Sequence, residues 1–237
     1  PSSADVLKIA YAASFGTDQW EFSDEETSEY SKLAKLFDFI SVREKSGVRL
    51  CHEFLSVDAQ HVLDPTMLLG AQDYIHLIEN ANIPESTSNL FCYILDPNSE
   101  SEKIIKSLER DGYKVTYAML TANPTKSNPR PCQMSVEEWL RGIYSAELVV
   151  TDSFHACVFS IIFKKPFVAL GNPQRGNTRF DSLLETFGLR GRLILNYSSF
   201  VENNALLKTS CDLLELDSIL QELRQQSLML LTNLVSI

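Results

Sequence analysis

The chain has 237 residues, 44% of them apolar and 22% charged, with 31 Asp plus Glu against 21 Lys plus Arg. This composition supports a sizeable core and excludes wholesale disorder, while a formal charge of −10 makes a poor general binder of nucleic acid or anionic membrane. No apolar run approaches the ~18–20 residues that a membrane-spanning helix needs, and Pro1–Asp5 lacks the basic-then-apolar pattern of a secretory leader.

Short β-type runs alternate with helical stretches. Leu7–Ser14 is a strand ending in the turn Ser14-Phe15-Gly16. Asp24–Asp38 follows as a helix, with Tyr30, Leu33, Ala34 and Phe37 at helical spacing and Ser23 and Glu26 placed as a capping box. Phe39–Arg43 is a strand, Lys45–Phe54 a short helix, and Ala59–Leu63 a strand that stops at Asp64-Pro65. Ala71–Asn82 reads as a helix and Pro84–Asn89 as a polar linker. The alternation then restarts with strand Leu90–Leu95, helix Ser99–Asp111 and strand Tyr113–Met119. Thr121–Gln133 holds three prolines and reads as an exposed loop. Ser135, with Glu138 at the capping-box position, starts a helix running to Ala146. Glu147–Thr151 is a buried-type strand, Ser153–Phe163 an apolar helix, and Pro166–Leu170 a further strand. Thr178–Phe187 is a helix that Gly188 stops, Leu193–Asn196 a last strand, and Leu213–Leu234 an amphipathic helix expected to pack back across the fold.

Strands alternating with helices predict an α/β fold with parallel sheets in two sets. The expected division is residues 1–70 as the C-terminal part of one α/β domain, 71–89 as a linker helix and loop, and 90–237 as a second α/β domain. Three strands make a small sheet, so the first domain is expected to be incomplete at its N-terminus. The five cysteines, Cys51, Cys92, Cys132, Cys157 and Cys211, are widely spaced and contain no CxxC pair. That pattern argues against a disulfide framework or a structural zinc site and favours a reducing, cytoplasmic compartment.

In open α/β sheets, ligands bind beyond the carboxyl ends of the strands. The residues there are Ser14-Phe15-Gly16, Arg43-Glu44, Asp64-Pro65, Asp96, Thr151 to His155, and Gly171-Asn172. The strongest signal is Glu147 to His155, where a buried strand ends in Thr151-Asp152 and Ser153 opens a helix with His155 in its first turn. A helix N-terminus attracts an anion, and a histidine there can bind phosphate or move a proton; a half-buried histidine bonded to a loop is the plainer reading. Arg43 stands where a guanidinium could take a carboxylate or phosphate in a bidentate grip, or could pair with Glu44 or another acid. Arg175 and Arg179 bracket Gly176 and form a third basic cluster, unless that segment is only a solvated loop. Walker, GxGxxG, HExxH and GxSxG motifs are absent, so a nucleotide cofactor, zinc chemistry and the α/β-hydrolase mechanism gain no support, and no cofactor is expected.

Taken in order, these segments resemble the polysaccharide pyruvyl transferase family. The matching elements are Tyr11 to Gly16, Phe39 to Glu44 with Ser46-Gly47, Asp64-Pro65-Thr66, Ser135 to Leu140, Val149 to His155, Lys165-Pro166-Phe167, and Gly176 to Leu184 followed by Phe187-Gly188-Leu189. The resemblance implies two Rossmann-like domains of GT-B type with the active site in the cleft between them. It implies transfer of the enolpyruvyl group of phosphoenolpyruvate onto two hydroxyls of a sugar or lipid-linked oligosaccharide, without nucleic acid, at the cytoplasmic side or the inner face of the membrane. The family pattern places an arginine at Arg43 and a histidine at His155. Many members carry Arg-Leu-His where this chain has Ser153-Phe154-His155, which removes one expected phosphate anchor that Arg175 or Arg179 could replace. His155, Asp152 and Glu44 are then candidates for acid and base, and Arg43, Ser14, Gly16, Ser153, Asn172, Arg175 and Arg179 for substrate binding. Two other readings stay open. One is a nucleotide-sugar-dependent glycosyltransferase of the same architecture, with Asp96 and Glu137-Glu138 to grip ribose and base. The other is a non-catalytic fragment of such an enzyme.

Overall fold

In the computed structural model, residues 6–83, 88–118, 134–171, 177–208 and 213–235 are described. The chain divides into two compact units. The first gathers Pro1–Leu68, Pro173–Thr186 and Ser218–Ile237, and the second Leu69–Asn172 and Phe187–Asp217.

The first unit carries a parallel sheet in the order β1 (Ile9–Ala13), β2 (Phe39–Val42), β3 (Gln60–His61). Ile9 stands opposite Phe39, and Val42 opposite His61. Between β1 and β2 runs α1 (Asp24–Ala34), whose capping box forms as the sequence predicts: Glu26 N–H donates to Ser23 Oγ, and the Glu26 carboxylate accepts from the Ser23 N–H. The helix stops four residues short of the expected Asp38. The Asp38 N–H donates to the Lys8 carbonyl and its carboxylate accepts from the Lys8 N–H, which turns the chain into β2 instead. A six-residue helix, α2 (Lys45–Leu50), continues as a wider helical turn over Cys51–Leu55 and ends at Ser56 in the left-handed region. Val42, Cys51 and Leu55 form the buried centre, with Phe15, Trp20 and Tyr30 packed against it. Trp20 stacks on Phe54 at 4.8 Å and donates its indole N–H to Thr27 at 2.7 Å.

Two later segments complete this unit. Helix α7 (Thr178–Thr186) brings Ser182 Oγ to the Lys45 N–H, at 3.1 Å. Gly188, at φ +66, follows it with the left-handed geometry that glycine allows at a helix stop. Helix α9 (Leu213–Val235) places Arg224 Nε 2.8 Å from the Met67 carbonyl, and Ser227 Oγ accepts from the Leu63 N–H.

The second unit holds a five-stranded parallel sheet in the order β5 (Val115–Tyr117), β4 (Leu90–Tyr93), β6 (Leu148–Thr151), β7 (Phe167–Leu170), β8 (Leu193–Ile194). β6 and β7 are buried along their whole length, which is why they read as unbroken apolar runs rather than alternating ones. Helices α3 (Ala71–Asn80), α4 (Ser99–Arg110), α5 (Val136–Ser145) and α6 (Phe154–Ile162) belong to this unit. The Ser135–Glu138 capping box is present at the start of α5. The core runs from Leu90 and Cys92 through Ile104, Leu108, Leu148 and Val150 to Phe200 and Leu207. Helix α8 (Tyr197–Lys208) is not anticipated by the sequence: its Ser198-Ser199 and Asn203-Asn204 pairs have weak helix propensity, yet Phe200 is fully buried and decides the matter.

Of the segments expected to be irregular, 84–87 and 121–133 lie outside the described residues. Cys51, Cys92 and Cys157 are buried free thiols, and Cys132 and Cys211 lie outside the described residues. No helix among the described residues is long and apolar enough to cross a membrane.

Candidate functional site

In the first unit, the ends of β1 and β2 bring Ser14, Gly16, Arg43 and Glu44 together. β1 reaches them through a bulge between Ala10 and Ala13, with Ala12 at φ +52. A bulge re-aims the residues that follow it. Ser41 holds this one in place: its hydroxyl accepts the Ala12 N–H at 3.0 Å and donates to the Ala10 carbonyl at 3.2 Å.

Glu44 is fully buried. The hydroxyl of Ser14 donates to its Oε1, while its Oε2 is buried with no hydrogen-bond partner. A buried carboxylate with one oxygen unsatisfied costs stability, so this group is poorly explained as a structural element. Ser14 itself is exposed. The pair therefore joins a surface hydroxyl to an interior carboxylate.

Arg43 is flanked by acids. Its Nη1 lies 2.8 Å from Asp64 Oδ2 and its Nε 3.8 Å from Glu44 Oε1, with 18% of the side chain exposed. Asp64 is held in turn, because its Oδ1 accepts from the Thr66 N–H at 3.0 Å and the Thr66 hydroxyl at 2.7 Å. The Asp64-Pro65-Thr66 motif thus fixes the guanidinium's orientation. Two carboxylates beside one guanidinium leave no net positive charge, so an anion here needs a further cation. Arg179 also belongs to the first unit, at the start of α7, and a Cβ on Gly16 would lie 4.0 Å from its Nε. Gly16 sits at φ +76, a conformation a side chain strains.

In the second unit, the end of β6 uses its polar groups differently. Asp152 accepts the backbone N–H of Leu95 at 2.6 Å through Oδ1 and of Asp96 at 2.8 Å through Oδ2. Thr151 Oγ1 donates to the Tyr93 carbonyl at 2.6 Å and accepts the Ser153 N–H at 2.9 Å. These bonds fasten the turn after β4. Thr151 and Asp152 are therefore engaged in holding backbone, and Ser153 stands at the N-cap of α6 with no side-chain cap bond. His155 is exposed in the first turn of α6, edge-on to Phe154 at 5.4 Å between ring centres. Two residues further along α6, Cys157 is wholly buried, which pushes its thiol pKa far up, and the Asp152 charge adds to the rise.

Asn172 and Arg175 lie outside the described residues. The sequence places Asp64-Pro65 at a strand end without marking Asp64 as the partner of Arg43, and nothing in it marks Ser41 as the residue that holds the β1 bulge. Among the described residues, no group of three or more His, Cys, Asp or Glu could hold a metal ion.

A family model described as polysaccharide pyruvyl transferase matches residues 5–174. No curated protein matches the chain. Among solved structures, the chain is similar to the wall teichoic acid polymerase TagF, with 12% identity, 87% of this chain and 55% of that one covered, and a TM-score of 0.44. A CDPG-soaked variant of TagF gives 14% identity, 93% and 58% coverage, and a TM-score of 0.41. The chain therefore spans little more than half the length of those chains.

Proposed function

The chain belongs to the polysaccharide pyruvyl transferase family, and from that premise we propose that it moves the enolpyruvyl group of phosphoenolpyruvate onto two hydroxyls of a sugar in the building of a surface polysaccharide. The observation that carries this reading is the Ser14–Glu44 pair beside Arg43 in the first unit. It offers a proton acceptor and a guanidinium at the carboxyl ends of neighbouring strands, where α/β sheets bind ligands.

The methylene carbon of phosphoenolpyruvate takes a proton and becomes a methyl group, leaving an oxocarbenium-like carbon. One sugar hydroxyl adds to that carbon. The C–O bond to phosphate breaks, and the second hydroxyl adds to close the ketal. Of the two hydroxyl protons, one balances the new methyl group and the other leaves with inorganic phosphate.

Ser14 accepts the proton of an attacking hydroxyl and passes its own to Glu44, so the buried carboxylate acts through an exposed relay. Arg43, oriented by Asp64, and Arg179, lying by Gly16, grip the carboxylate and phosphate of the donor. The reading puts the protein in the cytoplasm, where free thiols such as Cys51 and Cys92 persist.

The full chain, incubated with phosphoenolpyruvate and a galactoside, should release inorganic phosphate and yield a new ketal methyl signal by proton NMR. Glu44→Gln and Arg43→Ala should abolish both signals while the protein still unfolds cooperatively. Undiminished phosphate release in the two variants would remove these assignments.

A further inference from the structure

Beside the Arg43–Glu44 cluster, and wholly within the first unit, lies a cavity of about 670 Å³. It opens between β3 and α9, and its polar lining includes Gln60, His61, Glu222, Gln226 and Asn233. We propose that this cavity seats a sugar of the acceptor saccharide, a neutral polyhydroxylated chain, next to the cluster that activates its hydroxyls. The inference rests on the transferase reading above and extends it to the acceptor.

Continuity with the cluster comes first. Lys45 lines the cavity and directly follows Glu44. His61 lines it too, stands opposite Val42 in the sheet register, and makes a hydrogen bond to the Arg43 backbone. A ligand filling the cavity therefore touches residues on either side of the Arg43–Glu44 step.

Charge decides against an anionic occupant. The lining's one lysine, Lys45, is already paired with Glu185 at 3.3 Å, and Glu222 adds a second carboxylate. Desolvation pushes the His61 pKa below the ordinary imidazole value, with the Arg43 backbone bond opposing and the Lys45 charge adding to the fall, so its ring is neutral at pH 7. A nucleotide or a free phosphate finds no uncommitted cation in this wall.

Hydrogen-bonding chemistry then selects the class. Gln60, Gln226 and Asn233 each carry donors and an acceptor on one side chain, and Glu222 accepts only. A sugar hydroxyl is both donor and acceptor, so this set matches a polyol better than an apolar or ionic ligand. Leu223, Met229 and Leu230 supply an apolar strip to meet the C–H face of a ring. Met229, at 66% exposed, is left open to solvent on this side of α9. The volume falls within the ~300–1,000 Å³ range of small-ligand sites.

Saturation-transfer NMR on the full chain tests this with methyl β-galactoside, lactose and N-acetylmannosamine as probes. At least one probe should receive saturation, and its affinity should fall at least tenfold in Gln226→Leu and in Asn233→Leu. Both positions are exposed on α9, so both variants should unfold as the parent does. Thermal shift with phosphoenolpyruvate, run on the same three proteins, should be equal in all. Absence of saturation for every probe, or equal sugar binding in parent and variants, overturns the cavity assignment. If phosphoenolpyruvate is still consumed in that case, the transferase reading stands without it. If sugars bind through Gln226 and Asn233 but phosphoenolpyruvate neither binds nor reacts, the cavity stands and the transferase reading falls.

Discussion

The strand ends of the two units carry similar residues and use them in opposite ways. In the second unit, the Asp152 carboxylate has both oxygens on backbone N–H groups, and Thr151 is bonded on both its donor and acceptor sides. Both residues are committed to shaping the turn after β4. In the first unit, Glu44 is more deeply buried than Asp152 but leaves Oε2 unsatisfied, and Ala12 holds a left-handed backbone to bring Ser14 into place. Polar groups that satisfy one another build a scaffold; polar groups kept costly and incomplete mark a place where a ligand completes the arrangement. On the proposed function, one strand end braces and the other carries the chemistry.

The sharpest test of that contrast is the pair Glu44→Gln and Ser14→Ala. Loss of a positioned proton acceptor typically costs ~10²–10⁴ in rate, so Glu44→Gln should cut kcat for phosphate release by at least about a hundredfold. Its stability should stay level or rise, because a buried charge with an open valence is replaced by a neutral isostere. Ser14→Ala should match the kinetic loss, as the two act in series. Steady-state phosphate release and chemical denaturation, measured together, decide this. A Glu44→Gln variant that loses stability and keeps its rate would reverse the roles given to the two strand ends.

Next in size is Asp152→Ala, which leaves the Leu95 and Asp96 N–H groups without their acceptor. Two charge-assisted bonds at a partly exposed site are together worth about 2–3 kcal/mol. For a chain of this size the melting temperature should fall by roughly 4–12 °C, read by calorimetry, with KM for phosphoenolpyruvate little changed in the folded fraction. A kinetic defect without a stability defect would move Asp152 from scaffold to chemistry.

Much of the fold was legible from the sequence, because its signals are local. The capping residues at Ser23 and Ser135, the left-handed stop at Gly188 and the apolar runs of β6 and β7 each announce themselves within a few positions. What stayed hidden was decided over distance. Arg43 invites a partner, but nothing near it says that the partner is Asp64, 21 residues away. Glu44 reads from the sequence as an acid or base candidate at a strand end, but its full burial is visible only in the structure. Alanine carries no hint of a left-handed backbone at position 12. Arg179 reads with the segment around it, and its place by Gly16 follows from where α7 packs.

A smaller effect sharpens the role of Asp64. Asp64→Ala frees Arg43 and Thr66 together, so KM for phosphoenolpyruvate should rise about tenfold, or ~1.4 kcal/mol of binding, with kcat less affected. Asp64→Asn keeps one acceptor oxygen and should restore part of the loss. If alanine and asparagine give the same KM as the parent, the guanidinium is not oriented through this contact.

The smallest effect concerns His61, beside the same cluster. Desolvation lowers its pKa below 6.5, against an opposing hydrogen bond to the Arg43 backbone, and the Lys45 charge adds to the fall. The unfolded chain therefore binds a proton on this ring at a pH where the folded chain does not. Stability contributed by the neutral ring is fully present above the unfolded value and declines as pH falls through it towards the lower folded value. His61→Gln should remove this slope, so that parent and variant differ in the pH dependence of denaturation below about pH 6.5 and run parallel above it. Because the residue keeps solvent contact, the change is a flattening of a curve, not a loss of fold. Equal slopes in the two proteins would mean that the ring is as well solvated as in the unfolded chain, and the wall it forms beside Arg43 would be more open than the geometry indicates.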